Sequence, residues 1–230
     1  MTEQEWLACT DPRMMLEFLQ QRHLSNRWKQ LFTCACCRSI WPLFTDPRSR
    51  KAVETTERFC DGLASLMELN VAREEARAAI PTRHPSRGVS AGGKAWRNAR
   101  LRHFVTRAAW YSTNSLYLPI YSVAVFAEVA ELRGLTVGGE HWQCGLLRDM
   151  YNPFRPVSIS LTRQTPTIAT LAQAAYDNRT LPAGTLEPAR LAVLADALED
   201  AGCTEAELLG HLRGPGPHVR GCWVLDLVLG

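Results

Sequence analysis

Helix start signals recur along this chain in a way that leaves little room for a fold built from strands. Thr2 stands three residues before Glu5, and Ser65 three before Glu68, the spacing at which a hydroxyl and a carboxylate satisfy each other's backbone amides at a helix N-terminus. Asp11-Pro12, Asp46-Pro47 and Thr165-Pro166 set a capping side chain before a proline, whose missing N–H is no loss at the first helical position. Behind these starts the apolar residues keep the i, i+3, i+4, i+7 rhythm of a buried helix face. Trp28, Leu31, Phe32, Ala35, Cys36, Ile40 and Leu43 do so after Ser25, and Leu191, Leu194, Ala195, Leu198 and Ala201 do so further on. Further helices are expected from Ser115, with Val123, Phe126, Ala127 and Ala130, and around His141, Trp142, Leu146 and Met150. Val157, Ile159 and Leu161 alternate as a short strand or extended linker. The expected class is all-α, a compact multi-helix bundle or orthogonal helical array.

A length of 230 residues with 46% hydrophobic content suits one large or two small domains, and a single mostly helical domain over 1–230 is expected. Two stretches interrupt it. Residues 81–93 carry the proline, glycine and arginine of a mobile loop, and 151–165, with Asn152-Pro153-Phe154-Arg155-Pro156, read as an extended connector. No run approaches the roughly 20 apolar residues of a membrane span, and the acidic, polar start is no signal peptide. The eight cysteines are therefore read as reduced thiols of a cytoplasmic protein. Cys34 and Cys37 stand at CxxC spacing, but inside a continuous helical pattern rather than in a zinc knuckle, and with successive side chains turned by about 100° per residue the three cysteines are read as core.

Polar groups able to act on a ligand are densest in the tail, around Gly214-Pro215-Gly216-Pro217. Thr204 with Glu207 predicts a short helix from about Glu205 to His211, which the prolines then stop. Val219, Cys222, Trp223 and Leu227 predict a terminal helix with His218 and Arg220 in its first turn. On that helix His218 and Cys222, at i and i+4, point the same way, and the turn can fold His211 and Cys203 back toward them. Cys203, His211, His218 and Cys222 are thus a candidate set for a structural zinc ion, and Cys222 with His218 a candidate nucleophile and base. The competing reading is a tight helix connector whose polar groups only cap helix ends.

The middle of the chain has a different character. No acidic residue occurs between Ala76 and Ala127, while Arg83, Arg87, Lys94, Arg97, Arg100, Arg102 and Arg107 all do, with Trp96, Trp110 and Tyr111 nearby to stack on bases. This is a candidate nucleic-acid surface, or else a solvated basic face. Arg97 and His103 have the spacing of the arginine and histidine of HEPN-type ribonucleases, which the sequence here resembles. Together with Arg213 and His218 they are the candidate catalytic residues.

The stretches Glu5 to Pro12, Met15 to Leu19, Ala35 to Trp41, Asn152 to Pro156 and Arg213 to Trp223 resemble an uncharacterised family of hypothetical proteins abundant in planctomycete bacteria. The resemblance runs through most of the chain and implies one coherent domain of cytoplasmic bacterial origin, without supplying a reaction. Some similar proteins have a cysteine just after the position of His211, where this chain has Leu212. The function expected is a helical binding or interaction module with a protein partner and no membrane. A nucleic-acid binder, a metal-binding protein and a HEPN-like ribonuclease are the alternatives.

Overall fold

The computed structural model describes residues 1–82, 93–114, 129, 138–154 and 165–230. The expected loop, connector, strand and Ser115 helix fall wholly or mostly outside these residues, as do Arg83 and Arg87. Among the described residues the protein is all-α, with eleven α-helices and no strand. They are α1 (Glu3–Ala8), α2 (Pro12–Gln20), α3 (Asn26–Ser39), α4 (Pro47–Cys60), α5 (Leu66–Ala79) and α6 (Lys94–Ser112). After these come α7 (Gly138–Met150), α8 (Pro166–Asp177), α9 (Pro188–Asp200), α10 (Ala206–Leu212) and α11 (Trp223–Leu229). No helix among the described residues is long and apolar enough to cross a membrane.

The caps form as their chemistry requires. Thr2 with Glu5 and Ser65 with Glu68 make full capping boxes, and Asp11, Ser25, Asp46 and Thr165 each accept a backbone N–H of the first turn. Thr204 does not cap α10. That helix begins one residue later than expected, with Glu205 at the N-cap and no side-chain bond to it.

The chain forms two compact units, one of Thr10–Gln143 and one of Met1–Cys9 with Cys144–Gly230. The boundary between them falls inside α7. In the central unit α3, α4, α5 and α6 pack on one another. Helix α3 is buried from Gln30 to Arg38 on every side, not on one face, and so Cys34, Cys36 and Cys37 all lie in the core. Burial raises the pKa of all three thiols, which accords with inert packing groups. Arg38 is carried inside as well. Its guanidinium forms a two-point ion pair with Glu57, at 3.0 and 2.7 Å, and lies 4.2 Å from the Trp41 ring centre.

The tail unit is built on α8, α9, α10 and α11, with a core of Ile168, Ala172, Leu191, Leu194, Leu198, Leu208, Leu212 and Leu225. Arg148 of α7 donates to the carbonyl oxygens of Trp6 and Cys9 and ties α1 into this unit. Trp6 is buried there, edge-on to Phe154.

Candidate metal centre

The glycine-proline turn ends α10 as expected and is seated by its own geometry. Gly216 has φ +74°, and a Cβ there would lie 2.7 Å from the backbone nitrogen of His218, so both conformation and space require glycine. Gly145 of α7 lets the turn approach closely, since a Cβ at that position would meet Pro217 Cδ at 2.8 Å. Beyond the turn, Val219 bridges to Thr185, and the His218 carbonyl accepts the Leu186 N–H at 2.8 Å. The chain between His218 and Cys222 is therefore not helical. The terminal helix starts at Trp223, with Cys222 as its N-cap residue, so His218 and Cys222 do not share the helix face expected of them. Tyr176 holds this segment from α8. Its hydroxyl donates to Asp226 at 2.8 Å and accepts the Gly221 N–H at 3.2 Å.

Three of the four expected ligands converge all the same, and the fourth member is one the sequence reading missed. Asp149, His211, His218 and Cys222 each offer a ligand atom, and these atoms lie within 4.8 Å of one another. Cys203 sits instead in the apolar core, with Leu198 and Leu208 among that cluster. Asp149 is 3% exposed in the last turn of α7, where the helix dipole disfavours a carboxylate. It is compensated by three donors. Oδ1 accepts from His218 Nδ1 at 2.7 Å and from His211 Nε2 at 3.1 Å, and Oδ2 accepts the Val219 N–H at 2.9 Å.

The hydrogen-bond partners assign the protons. His218 Nδ1 faces the carboxylate, and its Nε2 faces the Gly214 carbonyl at 3.3 Å. Both partners are acceptors, so both ring nitrogens donate and the ring is an imidazolium. Burial would lower the His218 pKa, but the hydrogen bond and charge of Asp149 outweigh it and the pKa is raised. Burial would likewise push Asp149 up, yet the two histidines hold it below the usual carboxylate value. The Trp223 indole N–H can only donate, and it points at His211 Nδ1 at 3.3 Å, so His211 keeps its proton on Nε2. That Nε2 also lies 3.3 Å from Cys222 Sγ. Cys222 is fully buried, and burial together with the Asp149 charge pushes its thiol well up.

These facts bear on the chemistry open to the group. A cysteine nucleophile needs access and a depressed pKa, and Cys222 has neither. For a metal the set fits better. Zinc bonds of about 2.0–2.1 Å to nitrogen and oxygen and 2.3 Å to sulfur place tetrahedral ligand atoms roughly 3.3–3.6 Å apart, so the present 2.7, 3.1 and 3.3 Å separations need to open by about 0.2–0.7 Å and the wider pairs, at most 4.8 Å, need to close. His218 and Asp149 already have outer partners of the kind metal ligands use, a backbone carbonyl behind the ring and a backbone N–H behind the carboxylate. His211 is the exception, because a metal on Nε2 moves its proton to Nδ1 and displaces the Trp223 bond.

The other sequence candidates are not brought together. Arg213 is held on the surface by Asp196 at 2.7 Å and by Glu199. Arg97 is exposed, whereas His103, further along the same helix, is 7% exposed and packs edge-on to Phe104. Arg100 lies over Trp96 and Phe104, and Arg107 over Tyr111, whereas Lys94, Arg97 and Arg102 are exposed. Comparison of the chain with family models, with curated proteins and with solved structures finds no match.

Proposed function

We propose that this chain is a helical binding module whose tail unit is fixed by one structural zinc ion on Asp149, His211, His218 and Cys222. The observation that carries the reading is the convergence of four buried or half-buried ligand atoms within 4.8 Å from α7, α10, the turn and the N-cap of α11. Charge supports it. A carboxylate and a thiolate supply two negative charges, matching one divalent cation and leaving a neutral centre in an apolar surround. A closed set of four protein ligands leaves no position for water or substrate, which favours a structural ion over a catalytic one. Such an ion would join segments far apart in sequence, and its binding free energy would become folding free energy of the tail.

The test is metal content and competitive chelator titration of the full chain after exposure to stoichiometric zinc. One tightly held zinc per chain is expected, lost in Asp149→Ala and Cys222→Ala and kept in Cys203→Ala. A chain that binds no zinc, or whose zinc depends on Cys203 and not on Asp149, overturns the reading.

A further inference from the structure

We infer that the exposed face of the first half of α6 is a docking surface for the phosphate backbone of a nucleic acid, with Lys94, Arg97 and Arg102 as its contacts. Six basic side chains of the central unit are matched to carboxylates, while Arg73 bonds to Asn70 and the Thr113 carbonyl and Arg22 and Arg50 lie over aromatic rings. Arg27 pairs with Asp61, Arg38 with Glu57, Arg48 with Asp46, Lys51 with Glu75, Arg58 with Glu68 and Arg77 with Glu74. Helix α6 offers no such partner of its own. It contains no acidic residue, and Lys94, Arg97 and Arg102 are exposed and form no ion pair with any described residue.

Helix geometry puts these charges on neighbouring rows. Lys94, Asn98 and Arg102 follow at i, i+4 and i+8, a stripe about 12 Å long, and Arg97 stands beside it. Along that length a duplex presents about seven phosphate charges, so three cations each find a partner. Asn98, also exposed, adds a neutral donor within the stripe. Arg100 belongs to a different row and is spent on Trp96 and Phe104, at 5.1 and 5.5 Å, which stiffens the helix beneath the stripe.

The chemistry of the face selects among anionic partners. An anionic membrane is gripped by a helix that also inserts large apolar side chains, and no large hydrophobic residue of this stretch is exposed. A stable protein interface has a buried apolar or aromatic anchor, which the face also lacks. A repeating phosphate backbone asks only for spaced cations, and it gives binding with little sequence preference.

The test is fluorescence anisotropy of the full chain with a labelled duplex and a labelled single strand of about 20 nucleotides, over about 50 to 200 mM salt. Three contacts predict a slope of log affinity against log salt of about −2.7 on duplex or about −2.1 on single strand. The variant Lys94→Glu/Arg97→Glu/Arg102→Glu is expected to lose at least tenfold in affinity. The charge-matched control Lys51→Glu/Arg58→Glu/Arg77→Glu should lose several-fold less. If charge reversal unfolds α6, the glutamine triple variant reads the same contacts and should lower the slope toward zero. No binding at the lowest salt, an equal loss in the control, or binding to anionic vesicles in place of nucleic acid would overturn the inference.

Discussion

Two glycines in helices should answer alanine differently, because only one has the turn pressed against it. At Gly145 of α7 an added Cβ would lie 2.8 Å from Pro217 Cδ and 3.3 Å from Cγ, whereas at Gly210 of α10 it would meet nothing within 4 Å. To reach an ordinary contact of about 3.4 Å, the Pro217 ring must withdraw by about 0.6 Å. His218 is the next residue, and the same displacement would stretch its 2.7 Å bond to Asp149 to the limit of a hydrogen bond. Overpacking of this kind costs about 1–3 kcal/mol, and replacing glycine by alanine in a helix returns about 1 kcal/mol. Gly210→Ala should therefore gain up to about 1 kcal/mol, while Gly145→Ala should come out neutral to about 2 kcal/mol less stable. The difference between the variants isolates the contact, and it is read by urea unfolding with chelator present so that metal plays no part. Gly145→Ala should also weaken zinc binding, and Gly210→Ala should leave it unchanged. Equal stabilisation by both variants would refute the seating of the turn on α7.

Other expectations follow from single groups. Glu57→Gln leaves the buried Arg38 guanidinium without its counter-charge and should cost about 3–5 kcal/mol in the unfolding of the central unit, whereas replacing both partners by apolar residues should cost far less. In metal-free protein the two ionised groups of the tail give stability opposite pH limits. The His218 contribution is complete below its ordinary pKa of 6.5 and is lost as pH rises through its raised folded value. That of Asp149 is complete above its ordinary 3.8 and is lost as pH falls through its lowered folded value. Thermal melts of chelated protein should thus fall off on the alkaline side, and His218→Gln should flatten that decline. Zinc reverses the alkaline trend, because binding displaces the second His218 proton and the Cys222 proton and so tightens as pH rises. Zinc addition should also shift Trp223 fluorescence, as its bond to His211 Nδ1 is exchanged, and Trp223→Phe should remove the signal while keeping the metal.

What was legible in the sequence was local. The caps at Thr2, Asp11, Ser25, Asp46, Ser65 and Thr165 formed because each is a bond between a side chain and an amide two or three residues away. Thr204 carried the same letters but lost the position to Glu205. Burial of α3 on all sides was less visible, since Gln30, Thr33 and Arg38 read as polar rows, yet Arg38 and Gln30 find Glu57 and Cys60 on α4 and Thr33 bonds back to the Lys29 carbonyl. At the site, proximity in sequence favoured Cys203 over Asp149, which lies 62 residues before His211. One signal was present: Asp149 is three residues after Leu146 and seven after Trp142, so it falls on the apolar face of its helix, at the end where a negative charge is least welcome. The path after the turn was misread as helix because its apolar spacing suits one. The bridge of Val219 to Thr185, the turn through Arg220 and Gly221 and the bonds from Tyr176 keep it out of helix instead.

X-ray absorption at the zinc edge, on the full chain loaded with one equivalent of zinc, tests the metal centre most directly. The arrangement predicts a four-coordinate ion with one sulfur at about 2.3 Å and three nitrogen or oxygen neighbours at about 2.0–2.1 Å, two of them with imidazole scattering. A shell of light atoms alone, or one with two or more sulfurs, would contradict it.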